Sequence, residues 1–97
     1  MIPKFRKPTH PGEIIKEMYL KPLGITQDRF ARALGISRPR ANELINGWRS
    51  VTPDTAIRLA KAFKTSPEYW LNMQATVDLF DAQKRHHYKN IRPLLAT

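Results

Sequence analysis

No cysteine occurs in the 97 residues, which removes disulfide scaffolds, thiolate-bound zinc and thiol nucleophiles at once. Acidic residues are few: eight Asp and Glu stand against seventeen Lys and Arg, a formal charge of +9 that selects an anionic partner. Glycine is sparse at four, and nowhere do eighteen apolar residues run together, so no membrane span is predicted. Signal-peptide character is also missing, because the basic start with Lys4, Arg6 and Lys7 is followed by no apolar stretch. A soluble, untargeted protein of the reducing cytoplasm is the expectation. What remains is substantial: 41% hydrophobic and 9% aromatic residues suffice for a packed core, and the length fits one domain.

Helix punctuation organises the chain. Pro11 opens a segment in which Ile14, Ile15, Met18 and Tyr19 recur at helical spacing, and Pro22 and Gly24 break that pattern. Thr26 reads as an N-cap for a second helix through Leu34, closed by Gly35. Ser37 caps a third helix with Ala41, Leu44 and Ile45 inward and Asn46 and Gly47 at its end; Arg38, preceding Pro39, belongs at its very start. Thr52 and Pro53 start a fourth helix whose inward face is predicted as Ile57, Ala60 and Phe63. Ser66 and Pro67 start a fifth, running to near Arg85. Its seam of Trp70, Met73, Val77 and Phe80 can serve the core or a second copy of the chain. No strand alternation is present, so the fold class is all-α. The organisation is a basic arm over 1–10, a domain over 11–75, and a helix end and tail over 76–97.

The stretch QDRFARALGISRPRANELING, Gln27 to Gly47, meets the requirements of a helix-turn-helix: Ala31 as the small residue at the helix contact, Gly35 at the turn, and Phe30, Leu34, Ile36, Ala41, Leu44 and Ile45 as packed positions. At about 100° per residue, Pro39, Asn42, Glu43 and Asn46 then point outward, with Arg40 on the flank. Arginine suits the guanine edge, asparagine adenine, and glutamate the cytosine amino group, so this face carries side chains that the major groove rewards. Each has a plainer reading. Arg38 and Arg40 can contact phosphate alone, Glu43 can pair with and orient an arginine, Ser37 is first a cap, and Asn46 can simply end the helix. Gln27 and Ser37 stand at helix starts, where phosphate binds; Arg49 and Thr52 are candidate backbone contacts, and Trp48 is a core plug or a DNA contact.

Enzymatic signatures are missing: there is no phosphate loop, nucleophile elbow, zinc-protease histidine pair or dinucleotide fingerprint, so no enzyme, cofactor or metal is expected. His86 and His87 diverge by about 100° on a helix, too far to share one metal. Glu13 and Glu17 beside Lys16 and Lys21 read as a salt-bridged face.

Residues 10 to 74 resemble the HigA antitoxins, also called the VapI group, within the repressor family named after the Xre phage protein. The resemblance rests on His10-Pro11-Gly12-Glu13, Gly35-Ile36-Ser37-Arg38-Pro39, Leu44-Ile45-Asn46-Gly47 and Thr65-Ser66-Pro67-Glu68-Tyr69-Trp70-Leu71-Asn72-Met73-Gln74. It implies a five-helix, lambda-repressor-like helix-turn-helix domain with a C-terminal helical extension. It further implies a homodimer that represses its own operon and neutralises a HigB-like toxin, a ribonuclease acting on translating ribosomes. Carried over residue by residue, Arg38, Arg40, Asn42, Glu43 and Asn46 become operator contacts and Gln27 and Ser37 phosphate contacts. Dimerisation through C-terminal helices would employ Trp70, Met73, Val77 and Phe80. Ala41 departs from the wider family, where a larger apolar residue is usual. Two other classes fit the composition: a stand-alone repressor with no toxin partner, and a small basic ribonuclease, which would need strands and catalytic bases that this sequence does not show.

Overall fold

His10 opens the first helix by a device that periodicity does not reveal: its Nδ1 accepts a 2.9 Å hydrogen bond from the Gly12 amide, doing for this helix what Thr or Ser does for the others. The computed structural model describes residues 7–96. Among them the order is α1 (Pro11–Ile14), a π-helical segment (Ile15–Leu20), α2 (Lys21–Leu23), α3 (Gln27–Leu34), α4 (Arg38–Ile45), α5 (Pro53–Phe63) and α6 (Pro67–Arg85), with no strand. The first three join end to end through right-handed helical residues, so five rods result, as expected. Of the arm predicted over 1–10, Lys4 and Arg6 lie outside the described residues, as does Thr97.

Pro22 does not end the first rod. The helix runs to Leu23 and stops at Gly24, whose φ is 62°. A proline inside an α-helix lacks its amide and collides with the carbonyl four residues back. The widened turn before Pro22 removes that conflict, since the Lys21 amide bonds the carbonyl of Lys16, five residues back.

Thr26, Ser37, Thr52 and Ser66 each cap the helix that follows, accepting from the amides of Arg29, Arg40, Thr55 and Tyr69. The core collects Ile15, Phe30, Ala31, Leu34, Ala41, Leu44, Leu59 and Trp70. Around them Phe63 stacks on Tyr19 with ring centroids 4.2 Å apart and reaches Phe30 and Trp70 at 6.1 and 6.0 Å. Gly12 sits flat against the end of α4, where a Cβ would fall on the carbonyl oxygens of Leu44 and Ile45; no larger residue fits.

The inward face predicted for α5 needs correction. Thr55, Ala56, Leu59 and Ala60 are buried while Ile57 is 48% exposed. Ala60 and Phe63 face the core as predicted, and Ala56 and Leu59 complete the stripe in place of Ile57. The α6 seam also divides. Trp70 and Val77 are buried within their own chain, and the Trp70 indole donates to Thr65 Oγ1 at 2.7 Å. They are therefore not available to a second copy, whereas Met73 and Phe80 stay partly exposed. The Cα radius of gyration, 16.3 Å, exceeds the ~12–13 Å of a compact chain of this length. The end of α6 and residues 86–96 contain no buried residue.

Candidate nucleic-acid interface

A left-handed Gly35 (φ 70°) ends α3, and Ser37 restarts the chain as α4, the two-helix corner that the sequence predicts. Ala41, Leu44 and Ile45 anchor α4 in the core. Its opposite face therefore stands out: Arg38, Pro39 and Asn46 are exposed, and Asn42 and Glu43 half-exposed.

Hydrogen bonds fix the polar residues of this face individually. Asn42 Nδ2 donates to Gln27 Oε1 at 3.1 Å, tying α4 to the start of α3. Asn46 ends the helix and folds back, its Nδ2 donating to the Asn42 carbonyl at 2.9 Å. Glu43 takes the plainer role weighed for it: both carboxylate oxygens accept from Arg49 Nη2, at 3.2 and 3.4 Å, so Arg49 is held beside the reading helix. Arg38 lies 3.7 Å from Asp28, which also pairs with Arg32 at 3.3 Å, and its side chain stays 74% exposed. Ser37 is a cap by geometry, accepting from Arg40 N at 3.2 Å. Thr52 likewise caps α5.

Arg40 turns toward α5. Its Nη2 donates to Asp54 Oδ2 at 3.2 Å and to Thr55 Oγ1 at 2.9 Å, both on α5, and the side chain is only 30% exposed. Its partner Asp54 stands fourteen residues along the chain, which helical periodicity cannot register. Trp48 is no core plug, being 74% exposed next to Arg49.

Three residues that support this face, Asp54, Arg58 and Gln74, lie outside the Gln27–Gly47 stretch. Arg58 on α5 donates from Nη1 to the Leu34 carbonyl at 2.8 Å and from Nε to Asp54 at 2.9 Å, so it satisfies the C-terminal end of α3. Asp54, between Arg58 and Arg40, is held below the ordinary carboxylate pKa by those hydrogen bonds, that of Arg58 first. Gln74 is buried on α6; it accepts from Val51 N at 2.9 Å and donates to Asp78, pinning the loop after α4. The i,i+4 spacing of Asp54 and Arg58 was visible in the sequence; the Gln74 bond was not.

Among the described residues no cluster of three or more His, Asp or Glu is placed to hold a metal, and no helix is long and apolar enough to cross a membrane.

The sequence model of the helix-turn-helix family matches residues 15–70. Antitoxin HigA-1 of Vibrio cholerae is 40% identical over 94 residues, covering 95% of this chain and 89% of its own. The solved structure of Pseudomonas aeruginosa antitoxin HigA with the higBA promoter superposes with a TM-score of 0.81 at 36% identity, over 91% of this chain and 99% of that one. Antitoxin GraA in complex with its operator superposes at 0.85 and 34% identity, over 99% of this chain and all of that one (100%).

Proposed function

The chain belongs to the helix-turn-helix family and within it to the HigA antitoxins, and from that premise we propose that it is the DNA-binding antitoxin of a toxin–antitoxin pair. In this reading it represses its own operon as a homodimer and neutralises a HigB-like ribonuclease. The family is one of DNA-binding regulators, and the reading assigns the chain no catalytic step. The observation that carries it is the outward face of α4, framed by the Gly35 turn, on a chain that is similar over nearly its whole length to a protein solved on its operator.

Each α4 of a two-fold dimer enters a major groove, with half-sites about 34–36 Å apart. Arg38 and Asn42 project toward base edges, where guanine and adenine present matching acceptors and donors. Pro39 and Asn46 line the same face against the groove. Glu43 serves chiefly by orienting Arg49 onto phosphate, together with Gln27, Ser37 and Thr52 at helix starts. The second copy meets α6 and the tail. With Trp70 and Val77 consumed by the core, the surface offered is Met73, Phe80 and the exposed Leu79, Ile91, Leu94 and Leu95.

Co-expression with the adjacent reading frame, capture on a tag, and footprinting on the shared promoter test the reading. A stable complex with a small basic partner and a protected inverted repeat are expected. Protection without a partner would leave a stand-alone repressor, and the absence of both complex and protection would overturn the proposal.

A further inference from the structure

The reading helix is held at its two ends by different means. Its C-terminal half is packed, with Leu44 and Ile45 buried and Gly12 pressed on their carbonyls. In its N-terminal half only Ala41 is buried, in the same core as Ala56 and Leu59 of α5. What ties the exposed first turn of α4 to α5 is polar. Arg40 Nη2 reaches Asp54 Oδ2 at 3.2 Å and Thr55 Oγ1 at 2.9 Å; the same carboxylate oxygen accepts from Arg58 Nε at 2.9 Å, and Arg58 Nη1 ends on the Leu34 carbonyl at 2.8 Å. One carboxylate and one guanidinium on α5 thus fasten the first turn of α4 and the last turn of α3 to a common support.

Thermal stability is a weak reason for this arrangement. Asp54 is 60% exposed, and solvent-exposed ion pairs add little to folding. Geometry is a better one, since groups that recognise bases must be held within fractions of an ångström, and the supporting shell decides whether they are.

We propose that Asp54 and Arg58 are positioning residues for operator recognition: a strut that, through Arg40, sets the angle at which α4 enters the groove without touching DNA. The proposal rests on the operator-binding reading above. Removing the strut keeps the side chains of Arg38, Asn42 and Arg49 but lets the start of α4 swing, so contacts that need exact base register are lost while contacts to phosphate survive.

Asp54→Asn tests this by titration, at one salt concentration, against a duplex of the chain's own promoter and a scrambled duplex of equal length. Promoter affinity falls roughly tenfold or more, the size of one lost base contact. Scrambled-duplex affinity stays within about twofold, and the melting temperature shifts by no more than roughly 8 °C. Asp54→Glu, which keeps the carboxylate, restores most of the promoter affinity. Equal losses on both duplexes, or unchanged promoter binding, overturn the strut. Amide residual dipolar couplings of the free protein give a measure that needs no DNA. In Asp54→Asn the angle between α4 and α5 changes, and an unchanged angle overturns the strut. Should the wild type fail to distinguish the two duplexes, the operator reading falls, and the couplings alone decide whether the strut holds α4.

Discussion

Burial holds the His10 imidazole below its ordinary pKa; Asp78 opposes that shift, Lys7 reinforces it, and Asp81 opposes it more weakly. The ring must stay neutral at Nδ1 to accept from Gly12, so the helix cap and the proton compete for one lone pair. The folded state therefore takes up the proton at lower pH than the unfolded chain, whose histidine titrates near 6.5. The resulting stability is present above about pH 6.5 and is lost as pH falls from there through the folded value. Urea unfolding at pH 7.5 and 5.5 checks it: wild type weakens on acidification, and His10→Asn, a cap that does not titrate, weakens less. Gly12→Ala meets a harder limit, because its Cβ collides with backbone oxygens of α4 that no rotamer change can move. A loss on the order of 3 kcal/mol is expected in denaturant unfolding. At this scale the sequence is informative about backbone needs and poor about partners. Thr26, Ser37 and Gly35 announce their roles within four residues, whereas Arg40 finds Asp54 only after the chain has turned back on itself.

Helix boundaries were legible because each start carries its own cap chemistry and most ends a glycine. Helix faces were less so. The α5 stripe runs through Ala56, Leu59 and Ala60, and its two alanines are residues that a hydrophobicity count undervalues against Ile57. The first rod passes Pro22 because a π segment absorbs the missing amide, a register change with no signature in residue spacing. The α3–α4 corner depends on Gly35 twice over: its φ of 70° disfavours any side chain, and a Cβ there would lie 3.2 Å from Arg58 Nη1. Gly35→Ala should cost about 1–2 kcal/mol in unfolding experiments. It should also displace the Arg58 bond to Leu34, visible as faster hydrogen exchange around the turn.

For the whole molecule, the +9 charge is not spread evenly over function. Around the reading helix the arginines are held by carboxylates, Arg38 and Arg32 by Asp28, Arg49 by Glu43, and Arg40 and Arg58 by Asp54. Pairing limits their bare electrostatic pull and fixes their direction, so discrimination is expected to exceed what charge alone would give. Affinity should still fall steeply with salt, with a slope near −0.9 per phosphate neutralised. The all-helical class and the outward face of α4 were legible in the sequence; the partners of the side chains on that face were not, because Arg40 pairs with Asp54 on α5 and Asn42 with Gln27 on α3. The account is tested most directly by titrating wild type, Arg38→Ala and Arg49→Ala against a duplex of the chain's own promoter and a scrambled duplex at one salt concentration. It predicts that wild type prefers the promoter, that Arg38→Ala narrows the preference by roughly tenfold to a hundredfold, and that Arg49→Ala weakens both duplexes alike. Equal binding of both duplexes by wild type, or an equal loss on both from Arg38→Ala, would contradict it.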